Sequence, residues 1–171
     1  LLYHVRRKTV LFSIAYPSYK YVLNMPLRIK QGQHPKYRMI HATNHRDGCL
    51  LMVDNICCRW QSLQHIQTGG QLSFFEETYD NEIINDSIIM QKVVESFSKI
   101  KQETSLHDCL AGFYVNYGAV CKTTVIKDKL KELNEINKIV IRREPAVTDI
   151  GNETRFMDEK KNKKIFIRWN V

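Results

Sequence analysis

KTTVIKDKLKELNEINKIVIRRE, residues 122–144, is the stretch on which the reading of this chain turns. Val125, Ile126, Leu130, Leu133 and Ile136 recur at helical spacing, so one face of a helix is apolar and is expected to point inward. Thr123 or Thr124 stands where a hydroxyl can accept from the unpaired N–H groups of the first turn. Asn137 closes the helix, because asparagine tolerates the left-handed backbone that helix ends use. Immediately after it the pattern turns strand-like, KIVIRR over 138–143, rich in β-branched residues.

Working outward, the downstream side completes a hairpin. A turn-rich stretch holds Pro145, Asp149, Gly151 and Asn152, and a last strand follows over 164–169, KIFIRW. Upstream, Thr104 or Ser105 caps a helix containing Leu106, Cys109, Leu110, Phe113 and Tyr114, which Asn116-Tyr117-Gly118 ends. Before that, Asp86-Ser87 opens a helix over 88–100 with Ile88, Ile89, Val93, Val94, Phe97 and Ile100 facing inward. Three helices and then a hairpin is the order of a winged helix, and residues 87–171 are expected to form a domain of that type.

The first part reads differently. Residues 9–16, 19–29 and 36–43 are strand-like, with Pro26 arguing for an edge or irregularity in the second and a turn at 31–35. Asn44 or Asp47 then caps a helix whose apolar face is Leu50, Leu51, Val53, Ile56, Cys57 and Trp60. The polar run 62–70 ends in Gly69-Gly70, and 71–86 reads as a linker with a short apolar plug. The expected division is therefore an α/β unit over 1–70, a linker over 71–86, and the winged-helix-like unit over 87–171.

Charge follows the same division. Residues 1–70 carry ten basic against two acidic side chains, 71–121 three against eight, and 122–171 thirteen against eight. The net charge of +8 favours acidic partners such as nucleic acid. At 171 residues, 43% hydrophobic and 26% charged, the composition suits a packed core and excludes wholesale disorder. Five cysteines without a CxxC pair point to free thiols in a reducing cytoplasm. No apolar run approaches the ~20 residues of a membrane span. The sequence opens on Leu1 rather than Met, which suggests a fragment.

Three stretches together carry a family resemblance. KYRMIHATNHRDGCLLM (36–52), GGQLSFFEE (69–77) and KTTVIKDKLKELNEINKIVIRRE (122–144) resemble, in this order, segments of the C-terminal half of the three-Cys-motif partner proteins, the TcmP family. The resemblance implies the distal part of a Rossmann/methyltransferase-like α/β domain followed by a winged-helix-like domain. It also implies a partner with a three-cysteine motif of radical-SAM type. The glycine-rich loop that would hold S-adenosylmethionine lies in the half this sequence lacks. No GxGxG occurs among the seven glycines, so that cofactor is expected only if a missing N-terminal half supplies the pocket.

Candidate sites are few. His41, Asn44 and His45 lie where a strand gives way to a helix N-terminus, a place that suits phosphate or an anionic substrate, though capping explains Asn44 as well. Cys57 and Cys58 point about 100° apart on a helix and read as small buried hydrophobes rather than one site. Gln71, Leu72, Phe74 and Phe75 match the shape of a bacterial sliding-clamp-binding peptide, or simply pin the linker to the core. Lys122, Lys127 and Lys131 on the third helix, with Arg142, Arg143, Lys161 and Lys163 on the hairpin, are the candidate nucleic-acid contacts. Acidic residues lie among them, so protein docking stands beside nucleic-acid binding. No catalytic arrangement stands out. The expected function is an accessory protein recognising another macromolecule, with a methyltransferase-like enzyme fragment as the alternative.

Overall fold

A computed structural model of the chain describes residues 18–27, 37–67, 86–148 and 150–170. The elements in order are β1 (Tyr21–Leu27), β2 (Tyr37–Thr43), α1 (Arg46–Gln67), α2 (Asp86–Phe97), β3 (Thr104–Ser105), α3 (Leu106–Tyr117), α4 (Thr123–Glu135), β4 (Ile139–Glu144) and β5 (Lys164–Trp169). Among the described residues this is a small mixed α/β protein of four helices and two antiparallel sheets. β1 and β2 form one sheet, with Tyr21 opposite Thr43 and Leu27 opposite Tyr37. The other has the order β3-β5-β4, with Ile141 opposite Ile167 and Thr104 opposite Ile167 on the other side. The expected strand over 9–16 lies outside the described residues.

The apolar periodicities become one buried cluster. Tyr21 and Leu23 of β1, Cys49, Leu50 and Val53 of α1, and Ile89, Val93 and Phe97 of α2 belong to it. So do Leu110, Phe113 and Tyr114 of α3, Ile126, Leu130 and Leu133 of α4, and Ile139, Ile165 and Ile167 of the sheet. Residues on alternate positions of β4 and β5 turn inward because side chains of a strand alternate between faces. Phe113 meets Tyr114 edge to face at 5.3 Å between ring centroids. α1 continues to Gln67, through the run read as the approach to a linker.

Four burial assignments are corrected. Ile136 is 60% exposed, because the helix ends before it and the chain turns away there. The Lys138 N–H reaches the Leu133 carbonyl at 2.9 Å and the Asn137 N–H the Asn134 carbonyl at 3.0 Å, the paired bonds of a Schellman end. Asn137 takes the left-handed conformation this requires, at φ 56°. Leu51 and Ile88 are also exposed, since Leu50 and Ile89 occupy the inward positions beside them. Cys58 is exposed and only Cys57 is half-buried, so the pair is not jointly part of the core.

The cap of α4 also differs. Lys122 is its N-cap residue, and Thr123 is buried. Both its backbone N–H and its hydroxyl donate, each at 2.8 Å, to the Asp54 carboxylate of α1. A carboxylate borrowed from another helix thus satisfies one N–H of the first turn of α4 and complements its positive dipole end.

Candidate nucleic-acid interface

The hairpin joining β4 to β5 is two-lobed. The first lobe is a tight tip: the Gly151 N–H bonds Thr148 O, the Asn152 carbonyl accepts from Thr148, and Gly151 has φ 84°. The chain then returns along the body, where Met157 is buried and Phe156 packs against the core. The second lobe is a closed turn in which Lys160 and Lys163 exchange both backbone hydrogen bonds, at 2.9 and 3.0 Å.

That turn places Lys160, Lys161, Lys163 and Lys164 on the surface, all exposed. Lys163 lies over the Phe156 ring at 5.2 Å. Among the described residues none of the four makes an ion pair; the neighbouring carboxylates are engaged elsewhere. Asp158 binds Lys127, and that ammonium holds its carboxyl below the usual carboxylate range. Glu159, 8% exposed at its side chain, accepts from the Ser105 hydroxyl and from the Ile165 N–H at 3.0 Å.

The remaining basic candidates are arranged otherwise. Lys131 pairs with Asp128 at 2.7 Å. Lys129 buries its stem and sends its ammonium to Asp86 at 2.6 Å and Glu132 at 2.8 Å, which raise its pKa. α4 carries three lysines and three acids, Asp128, Glu132 and Glu135, so its own charge sums to zero. Arg142 stacks on Phe166 at 4.4 Å and pairs with Glu144 and, at 2.9 Å, with Glu103. Arg143 turns inward; its Nε–H donates to Phe156 O at 2.9 Å, and burial lowers its pKa. Lys122 has no ion pair among the described residues and sits at the N-cap of α4. Of the seven candidates, Lys127, Lys131 and Arg142 are therefore held in ion pairs and Arg143 is half-buried. Lys161 and Lys163 share the turn, and Lys160 and Lys164, omitted from the candidate set, complete it. The run KKNKK over 160–164 was the signal for them.

The strand-to-helix candidates fold against each other as a loop. Asn44 Oδ1 accepts from the Lys20 N–H at 2.8 Å, and the His45 N–H donates to Thr43 Oγ1 at 3.1 Å. His41 faces Leu23 across the β1–β2 pair, and its Nε2 is buried with no hydrogen-bond partner. A side chain at Gly48, in the first turn of α1, would meet Thr43 Oγ1 at 3.3 Å, a tight contact. Gln71, Leu72, Phe74 and Phe75 lie outside the described residues.

A polar seam that sequence spacing did not reveal joins α1, α3 and the hairpin. Arg46 reaches Asp108 at 2.7 Å and Ser105 at 3.0 Å. His107 Nδ1 stands 2.7 Å from Asp47 and 3.4 Å from Glu159. The partners lie about 60 residues apart, beyond any local pattern. The seam fixes the return strand of the hairpin relative to both helices. No helix among the described residues is long and apolar enough to cross a membrane.

Comparison with protein-family models, with curated proteins and with solved structures found no match for this chain.

Proposed function

We propose that residues 86–170 are a winged-helix-type recognition domain and that its target is nucleic acid. The element order α2, β3, α3, α4, β4, β5 with sheet order β3-β5-β4 supports the fold reading. The observation that carries the function is the exposed lysine turn, where four cations gather and, among the described residues, none makes an ion pair. Cations left free of partners raise the local concentration of a polyanion and release its condensed counterions on contact. The experiment is fluorescence anisotropy of mixed-sequence duplex and single strand at two salt concentrations. Binding at ~50 mM salt that weakens steeply towards ~200 mM is expected. No binding at the lower salt refutes the reading.

The methyltransferase-like reading of β1, β2 and α1, and the partnership with a three-cysteine radical-SAM-type protein, are proposed on the resemblance of the quoted stretches alone. Co-purification of the two proteins expressed together tests the partnership; separate elution contradicts it.

A further inference from the structure

Resting on the nucleic-acid reading, we infer that the lysine turn at 160–164, and not helix α4, is the phosphate-contacting surface, so that binding is to the backbone and indifferent to sequence. A winged helix that reads bases lays its third helix in the major groove. Here the third helix is electrostatically closed. Its three lysines are matched by three acids of its own, and Lys129 is drawn further into Asp86. At its N-terminus, the part of a helix best suited to a phosphate, the Thr123 N–H and hydroxyl are both turned on the Asp54 carboxylate. An approaching phosphate therefore meets a neutral helix with an anion already seated at its positive end.

The turn is the opposite case. Four lysines fall within five residues, all exposed. Reciprocal backbone bonds between Lys160 and Lys163 set the turn before any ligand arrives, and buried Met157 with the Glu159 bonds to Ser105 and Ile165 fixes its base. Backbone order on binding therefore costs little. Asp158, an exposed carboxylate two residues before the turn, is paired with Lys127. Ammonium groups on flexible stems meet phosphates as point charges, and phosphate contacts carry no base information.

The magnitude follows from counterion release. Four phosphates neutralised on a duplex give a slope of log K against log salt of about −3.6, and on a single strand about −2.8. The first value means about a 150-fold loss between 50 and 200 mM salt. Duplexes of different sequence are expected to bind within about threefold of one another, since discrimination between bases comes from contacts to their edges.

The test compares the parent with four variants by anisotropy across a salt series. Replacing Lys160, Lys161, Lys163 and Lys164 together by Gln is expected to bring the slope close to zero, while replacement of the same four by Arg keeps it. Lys127→Gln/Asp158→Asn removes a cation from α4 without changing net charge, and Lys131→Gln removes another; each is expected to move the slope by less than half a unit. Thermal midpoints of the Gln variant and the parent should agree, because the turn is exposed. If the Gln variant keeps the parent slope, or the α4 variants lose a unit or more, the inference fails while nucleic-acid binding stands. If the parent itself does not bind, both readings fail.

Discussion

Removal of the Asp54 carboxylate should loosen α4 although the substitution lies on α1. In the parent, one carboxylate accepts the Thr123 N–H and the Thr123 hydroxyl, both at 2.8 Å and partly buried. Loss of an N-cap acceptor costs about 1 kcal/mol, and hydrogen bonds to a charged group are worth about 1.5–3 kcal/mol each. The two bonds share one anion and some solvent, so Asp54→Ala should cost about 2–3 kcal/mol rather than their sum. For a chain of this size that is a fall in Tm of roughly 5–10 °C. Asp54→Asn keeps an acceptor and should lose about half as much. Urea unfolding measures both, and Thr123→Ala completes a double-mutant cycle whose coupling reports the hydroxyl bond alone. An Asp54→Ala loss below about 0.5 kcal/mol, the scale of a surface change, would refute the trans-capping argument.

Other outcomes follow from the same packing. Leu130→Ala removes a fully buried side chain and should cost about 2–5 kcal/mol, whereas Ile136→Ala, at 60% exposed, should cost no more than about 0.5 kcal/mol; urea midpoints separate them. Thiol titration with Ellman's reagent on the folded protein should find Cys58 reacting first. Burial pushes Cys49 and Cys57 up to about 11 and Cys109 and Cys121 up to about 12, so little thiolate is present there at neutral pH. Asp158 has its carboxyl held low by Lys127, so its contribution is present above the unfolded carboxylate range and lost as pH falls through the folded value. Its side chain is 73% exposed, so Lys127→Gln should shrink the stability difference between neutral and acid pH by only about 0.2–1 kcal/mol.

The sequence was legible wherever one local rule sufficed. Spacing alone placed Ile126, Leu130 and Leu133 on a buried face, and Asn137 did end α4 in the left-handed conformation. The two last strands fell where β-branched runs put them. Ile136, Leu51 and Ile88 were misplaced because an apolar stripe does not say where a helix stops or which of two adjacent residues the neighbours cover. The charges were the least legible. Lys127 and Lys129 look like surface cations in sequence, but Asp158 and Asp86, 31 and 43 residues away, engage them. Asp54 and Thr123 are 69 residues apart, and no periodicity links an acid in one helix to the first turn of another. The lysine turn was visible as composition, but its significance appears only once the neighbouring carboxylates are seen to be engaged elsewhere.

The most direct measurement of the central claim is an amide chemical-shift map of the protein titrated with a short mixed-sequence duplex at low salt. Shifts concentrated on Lys160, Lys161, Lys163 and Lys164, with Thr124, Asp128 and Lys131 of α4 unmoved, are the expected result. Shifts running along the exposed face of α4, with the turn silent, would contradict it.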